Sequence, residues 1–265
     1  MSDETGNSRG SRASMGHLSG AKKTAIITSS WDDGHPLDLR LAELLTAHGM
    51  RGTFYVPIHN ADFPVMTRQQ MKSLTDQEME IGAHTYTHAV LPQLTQDAIL
   101  HELVTSKTVL EDVAGQPITS FCYPKGKFNR VARQQVRAAG YSLARTTLSF
   151  RIDARFDPFL MPTSFQFVPH TVAIHVRHAV KEWNLKGLLN WWRDFGTHSD
   201  LVALVNVMFQ YILRQGGILH IWGHSWEIEQ ENLWDLLDEV LSAISHHPDV
   251  LYLTNAQTVG TIRAE

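Results

Sequence analysis

The hydrophobic pattern of the chain changes period repeatedly along its length. Residues 25–31 form a β-branched and aromatic run that predicts a strand, and residues 37–48 carry apolar side chains at helical spacing up to Gly49. The same pair of patterns then recurs through most of the chain. Such alternation is typical of βα units that pack around a parallel sheet.

Seven or eight strands are predicted in this way, and five stretches are predicted to be helical. The strands are expected at residues 25–31, 52–56, 79–84, 119–123, 141–146, 165–168, 217–222 and 250–253. The helices are expected at residues 37–48, 95–113, 129–139, 175–214 and 232–245. We therefore predict an α/β protein with a barrel of parallel strands, whose active residues lie at the C-terminal ends of the strands.

Two parts of the chain depart from this rhythm. Residues 1–23 are predicted to be a flexible tail, because they contain too little apolar surface to offset the entropy lost on ordering. Residues 24–265 are predicted to form one domain. Within it, residues 170–214 are predicted to be a helical insertion, either a cap or a subunit contact, with Trp191 and Trp192 on its apolar faces.

Composition excludes several classes of function. The chain has 265 residues and a net charge of −4, which provides no electrostatic footprint for nucleic acid. No apolar run approaches the roughly 18 residues of a transmembrane helix, and no secretory signal pattern is present, so we expect a cytoplasmic protein. Cys122 is the single cysteine, which excludes intrachain disulfides and cysteine-cluster zinc sites. Nothing in the sequence determines the oligomeric state.

Polar residues follow two of the predicted strands. Asp32 and Asp33 stand where the first strand ends, and Gly34 permits a turn there; an isolated match of this kind also describes a solvated turn. His84 and His88 follow the third strand at a spacing that can chelate a metal. The two imidazoles and Asp33 together would supply three metal ligands and leave open coordination positions, which is the layout of a catalytic metal site.

A second pair of histidines lies late in the chain, on and after a buried strand. Gly223 allows a bend that would direct His224 into the mouth of the barrel, where it could act as an acid. His220 is instead predicted to be a hydrogen-bonded wall or core residue.

Four segments, in order and each beside a predicted strand, resemble the motifs of the polysaccharide deacetylases with a NodB-homology domain. They are SWDDG at residues 30–34, HTYTH at 84–88, YPKG at 123–126 and LHIWGH at 219–224. The resemblance spans residues 24 to 255, apart from the predicted insertion.

The resemblance implies a distorted (β/α) barrel in which Asp33, His84 and His88 hold a divalent metal and Asp32 is the general base. In such a site the metal activates a water molecule and polarises the acyl oxygen. A backbone N–H in the loop from residue 123 to 125 would help to hold the oxyanion, and His224 would protonate the departing amine. Zinc is the first candidate, and cobalt, nickel, manganese and iron are also compatible with these ligands.

The chain departs from the family pattern at three places. Many members carry an Arg in the third motif, where this chain has Cys122; Arg145 is the candidate substitute, with a surface salt bridge as the equal alternative. The Asp-rich fourth motif has no clear counterpart, and Asp153 and Asp157 are only guesses. The last motif ends in His-Ser rather than the common His-Asp.

Aromatic and polar residues beside the motifs are candidates for binding a sugar ring. We expect Trp226 and Tyr123 to line the pocket, together with Trp222 and Lys125. Glu227 and Glu229 could contact substrate hydroxyls or could be solvated loop carboxylates.

The sequence thus predicts a metal-dependent hydrolase that removes an N-acetyl group from an amino sugar or polysaccharide precursor, so its partner is a small-molecule or glycan substrate. A second hypothesis keeps the same site but assigns to it the hydrolysis of a small cyclic amide or imide. A third is a catalytically silent sugar-binding protein. A non-haem iron oxygenase is a fourth, which the paired aspartates disfavour because an adjacent base suits hydrolysis.

Overall fold

The computed structural model describes residues 24–169, 177, 184–196, 198 and 200–264. Eight strands lie within these residues and form one sheet. They are β1 (Ala25–Asp32), β2 (Thr53–Val56), β3 (Glu80–Ala83), β4 (Ser120–Cys122), β5 (Leu143–Arg145), β6 (Phe165–Gln166), β7 (Gly217–Gly223) and β8 (Val250–Tyr252).

Helices follow most of the strands. In the described residues they are α1 (Asp38–Ala47), α2 (Arg68–Asp76), α3 (Gln96–Ala114), α4 (Arg130–Ala138), α5 (Leu185–Arg193), α6 (Leu201–Gln215), α7 (Ser225–Gln230), α8 (Trp234–Ile244) and α9 (Asn255–Ala264). None of the described helices is both long enough and apolar enough to cross a membrane.

The strands run parallel in the order β5-β4-β3-β2-β1-β7-β6. β1 is central: β7 pairs along one edge, and β2 and β8 share the other edge at opposite ends of the strand. Between β5 and β6 the chain at residues 161–164 bonds to residues 144–151 in place of a full strand. This irregular closure gives the predicted distorted barrel of parallel strands.

Most predicted elements are confirmed within a few residues. Thr95 caps α3 by accepting a hydrogen bond from the Ala98 N–H. Three helices were not predicted, namely α2, α7 and α9. The sequence does contain a signal for the start of α2, because Thr67 and Gln70 have the spacing of a capping box and form one in the structure.

The predicted insertion is only partly testable, since residues 170–176, 178–183, 197 and 199 lie outside the described residues, as does the predicted tail. The expectation of one helical stretch over 175–214 is wrong, because α5 and α6 are separate helices. α6 packs against β1, β7 and α8. Trp191 is buried and stacks on Phe150, whereas Trp192 is 70% exposed.

The start of α9 is joined to buried residues of the barrel by hydrogen bonds. Asn255 accepts a hydrogen bond from the Thr28 hydroxyl and donates one to the Tyr55 hydroxyl, each at 2.9 Å. Tyr55 is fully buried, and its ring lies where a side chain on Gly82 would otherwise extend. A glycine on β3 is therefore required by close packing.

Replacing Gly82 by alanine tests this packing. The added Cβ would lie 2.4 Å from Cε1 of Tyr55 and 2.7 Å from the Ser120 hydroxyl oxygen, so we expect the free energy of unfolding to fall by about 1–3 kcal/mol. Urea unfolding followed by circular dichroism measures the loss. Gly260→Ala in α9 is the control, because its Cβ would meet no atom within 4 Å. Equal stability of the two variants would contradict the packing argument.

Candidate active site

Backbone strain is concentrated where the strands end at the top of the barrel. Asp33, His88, Lys125 and Phe150 have positive φ angles between 54° and 75°, and all four line one cavity. Non-glycine residues adopt this conformation at a cost of about 1–3 kcal/mol each, and such strain persists only where the surroundings hold it. The surrounding structure therefore holds the backbone at the cavity rim in the conformations that these four residues need to line the cavity.

Asp33 lies between two imidazoles. Its Oδ1 is 3.2 Å from Nε2 of His88 and 3.8 Å from Nε2 of His84, and its Oδ2 accepts a hydrogen bond of 3.0 Å from the indole of Trp226. The ligand atoms of Asp33, His84 and His88 all lie within 4.8 Å of one another. The three predicted ligands therefore converge on one point.

His84 has the protonation state that a metal ligand needs. Its Nδ1 lies 2.9 Å from the carbonyl oxygen of Cys122, which can only accept, so Nδ1 carries the proton. Burial lowers the pKa of His84 to about 4, because the charged ring would be desolvated. The neutral ring thus presents an Nε2 lone pair towards Asp33.

Glu102 on α3 holds the loop between the two histidines. Its carboxylate accepts hydrogen bonds of 2.7–2.8 Å from the Tyr86 N–H, the Thr87 N–H and the Thr87 hydroxyl. Thr85, within the same loop, has a φ of 65°, which is unusual for a β-branched residue. Glu102 therefore stabilises the strained turn from which both imidazoles project.

Asp32 faces the barrel interior and forms an ion pair with Arg145. Arg145 is fully buried, so the alternative of a surface salt bridge is wrong. Its guanidinium lies 4.7 Å from the Trp222 ring centroid and 5.4 Å from that of Tyr55. Burial raises the pKa of Asp32, but the charge and hydrogen bond of Arg145, together with the nearby His84 and His224, outweigh burial and the pKa is lowered.

Cys122 and Arg145 are neighbours across β4 and β5. The Cys122 thiol lies 3.7 Å from Oδ2 of Asp32, and burial raises the pKa of the thiol. The arginine beside Asp32 therefore comes from the strand next to the one where the family motif would place it.

His224 begins α7 at the end of β7. Its Nδ1 lies 3.1 Å from Oε2 of Glu227, and its Nε2 lies 3.9 Å from Oδ2 of Asp33. Burial opposes the charged ring, but the hydrogen bond to Glu227 and the nearby carboxylates raise the pKa of His224. His224, Asp32 and Asp33 thus face one cavity from two adjacent strands.

The cavity has a volume of about 540 Å³. Its polar floor carries the aspartates and histidines, and its walls are aromatic, with Phe63 stacked on Trp226 at 4.2 Å between ring centroids. The predicted pocket residues Lys125, Trp222 and Trp226 line it.

The prediction that Tyr123 lines the pocket is wrong. Its ring is buried against Phe121 and Phe128, and its hydroxyl donates to the carbonyl oxygen of Phe159. Tyr123 directly follows β4, whose alternation turns this side chain away from the face on which Cys122 approaches Asp32.

Other sequence hypotheses are resolved by hydrogen bonding. His220 is buried between the Ser30 hydroxyl and the Pro162 carbonyl, so it is a core residue as predicted. Asp153 pairs with Arg151 and Lys186, and Asp157 caps a short turn. Neither aspartate lines the cavity.

Sequence reasoning missed the roles of Glu102 and Glu227. Glu102 lies 14 residues after His88, and no local spacing connects it to that motif. Glu227 lies three residues after His224, a spacing that brings side chains together on a helix. It could have been found had α7 been predicted.

Residues 19–144 match the model of the family described as polysaccharide deacetylase. This part of the chain is therefore similar to the polysaccharide deacetylases. Among curated proteins, the peptidoglycan-N-acetylglucosamine deacetylase of Bacillus cereus is 27% identical over 101 residues, which are 37% of this chain and 35% of that protein. A relative from Bacillus subtilis is aligned over 46% of its length, so the chain spans less than half of these two relatives.

Solved structures of a deacetylase and an esterase share the fold. The T48 deacetylase with substrate has a TM-score of 0.54 at 18% identity, with 90% of this chain and 92% of that chain covered. The family 4 acetyl xylan esterase of Clostridium thermocellum, in complex with a cobalt ion, has a TM-score of 0.52 at 15% identity, with 89% and 91% covered. The distorted barrel of these proteins is thus the fold of the chain.

The buried ion pair between Arg145 and Asp32 can be tested by a double-mutant cycle. Removing one partner leaves an uncompensated buried charge, so we expect Arg145→Met to lower the free energy of unfolding by about 3–5 kcal/mol. Asp32→Asn combined with Arg145→Met should cost less than the sum of the two single changes. Urea unfolding measures all three variants.

Lys72→Met is the matched surface control for this cycle. Lys72 pairs with Asp76 on α2, where both side chains are more than 60% exposed, so the loss should stay below about 1 kcal/mol. A loss from Arg145→Met no larger than that from Lys72→Met would contradict the buried pair.

Proposed function

We propose that the protein is a metal-dependent hydrolase that removes an N-acetyl group from an amino sugar or a polysaccharide precursor. The observation that carries the proposal is the convergence of three metal-ligand candidates, an ionised carboxylate and a histidine on one cavity. The match of residues 19–144 to the polysaccharide deacetylase model supports the same class of reaction.

Asp33, His84 and His88 would hold the metal. One carboxylate and two imidazoles with open positions fit a catalytic divalent ion, and zinc is the first candidate, with cobalt, nickel, manganese and iron also compatible. When bound, the ion supplies Lewis-acid chemistry, by lowering the pKa of a water and polarising the acyl oxygen. The cobalt complex of the acetyl xylan esterase with this fold supports a metal here.

Asp32 would act as the general base. The charge of Arg145, together with the nearby His84 and His224, keeps this carboxylate ionised despite its burial, so it can accept the proton that the attacking water releases. Asp33 lies just after β1 in left-handed backbone and contacts His84 and His88, so its role is separate from that of Asp32. Arg145 is the residue that orients Asp32, in place of an arginine at Cys122.

His224 would act as the general acid. The ring faces the cavity with Nε2, from which a proton can pass to the departing amine nitrogen. The Lys125 N–H is the oxyanion donor in the loop at 123–125. The Tyr123 N–H already donates to the Arg145 carbonyl, and Pro124 has no N–H.

Trp222, Trp226 and Lys125 would contact the substrate. Aromatic rings with polar edges suit stacking against a sugar ring, and Trp226 is itself fixed by its hydrogen bond to Asp33.

A second candidate function is hydrolysis of a small cyclic amide or imide at the same site. The observation that favours it is the cavity itself. About 540 Å³ with walls from several loops is the size of a pocket for one small ligand.

Substitutions can distinguish the residues that bind the metal from the residue that acts as the base. We expect Asp33→Ala or His84→Ala to abolish both bound zinc and acetate release from N-acetylglucosamine oligomers. Asp32→Asn should retain zinc but lower kcat by about 10²–10⁴-fold, since the proton acceptor is lost while the ligands remain. Metal analysis and acetate release from chelator-stripped and zinc-reloaded protein measure both quantities.

Full activity in His84→Ala, or loss of zinc in Asp32→Asn, would contradict the division of roles. Zinc-dependent turnover of cyclic imides without acetate release would instead establish the second function.

Glu102 gives an independent test of the metal site. In Glu102→Ala the Tyr86 and Thr87 N–H groups would lose their acceptor, so the turn that carries the imidazoles should loosen and zinc affinity should fall about 10–100-fold. Titration of the stripped protein with zinc measures the affinity. Asp112→Asn is the control, because this exposed α3 residue contacts only Arg68 in the ion pairs described. Equal affinities in the two variants would contradict the role of Glu102.

A further inference from the structure

The first turn of α7 is held in place by contacts of its residues with the rest of the structure. Ser225 donates to the buried carboxylate of Asp38, and Trp226 donates to Asp33. Ile228, on the inner side of the turn, is fully buried. These contacts hold α7 in one orientation, so the next side chain, Glu227, is also held near the cavity.

Oε2 of Glu227 accepts two hydrogen bonds. One comes from Nδ1 of His224 at 3.1 Å, and the other comes from the Nε2 amide of Gln166 on β6 at 3.0 Å. The Glu227 side chain is only 21% exposed, which is far less than expected for a solvated loop carboxylate. Gln166 lines the cavity and thus connects its wall to Glu227.

We propose that Glu227 is the positioning residue of His224, and that Gln166 holds Glu227 in place for this role. The inference rests on the proposed function. A carboxylate only accepts hydrogen bonds, so the His224 proton is fixed on Nδ1 and Nε2 is directed to the cavity. The negative charge also stabilises the ring when Nε2 carries the second proton.

The carboxylates on the other side of His224 are otherwise engaged. Asp32 is paired with Arg145, and Asp33 is held by His88 and Trp226. Within the described residues, Glu227 is the carboxylate that forms a hydrogen bond with His224.

The role of Glu227 concerns one step. Water adds to the acetyl carbon and gives its proton to Asp32; the C–N bond then breaks, and His224 transfers the Nε2 proton to the amine nitrogen. An amine leaves poorly without that proton, whereas 4-nitrophenol leaves from an acetate ester as the anion. The two substrates therefore separate proton donation from all other functions of the site.

Glu227→Gln, which keeps the shape but removes the charge, should lower kcat on N-acetylglucosamine oligomers by about 10²-fold. KM, zinc content and the rate with 4-nitrophenyl acetate should change by less than about twofold, because binding and Lewis-acid chemistry do not use Glu227. Glu229→Gln is the matched control, since Glu229 points outwards to Arg40 and Trp234, and both rates should remain unchanged. Equal losses on both substrates, or no loss on the amide, would overturn the proposal.

The NMR signal of the His224 ring tests the same inference without turnover. In ¹⁵N-labelled, zinc-loaded protein, the His224 Nδ1–H signal is identified by its absence from His224→Ala. It should be lost or shifted upfield in Glu227→Ala and kept in Glu229→Gln. An unchanged signal in Glu227→Ala would refute the positioning role. Failure of the wild-type protein to release acetate would refute only the proposed function, and the ring signal would still decide the role of Glu227.

Discussion

Arg145 is a fully buried cation inside the barrel, and its ion pair with Asp32 constrains the structure around it. Its Nε and Nη1 have no hydrogen-bond partner among the described residues, so the charge is compensated by one carboxylate and by the faces of Trp222 and Tyr55. The Tyr55 ring also occupies the space that a side chain at position 82 on β3 would need. A buried charge that loses its partner is strongly destabilising, which links Asp32 to the stability of the fold.

The same pair separates the environments of two adjacent aspartates. Asp32 points inwards to Arg145 and has a lowered pKa, whereas Asp33, one residue later and in left-handed backbone, faces the Nε2 atoms of His84 and His88. The change of backbone conformation after β1 thus gives the two carboxylates different partners. The proposed reaction needs a metal ligand and a base close together, and separate partners for the two carboxylates meet that need.

Acidic side chains outside the motifs hold the motif residues in place. Glu102 binds the strained loop between the histidines, and Glu227 binds His224. Both act through directed hydrogen bonds at 2.7–3.1 Å, which fix the orientation of a ring or a turn more tightly than apolar packing does. Motif residues of the correct types have an ordered geometry only when side chains such as Glu102 and Glu227 hold them in place.

The sequence alone determined the parallel βα architecture, because hydrophobic period and strand-end position are local properties of the chain. It also brought out the motif residues Asp32, Asp33, His84, His88 and His224, since each follows a predicted strand. Only the tertiary structure decided that Arg145, 113 residues from Asp32, is its partner, and that Tyr123 turns into the core. These contacts depend on the register between β4 and β5 and on the docking of α3 and α7. No local pattern contains that information, because it arises from packing between elements distant in the chain.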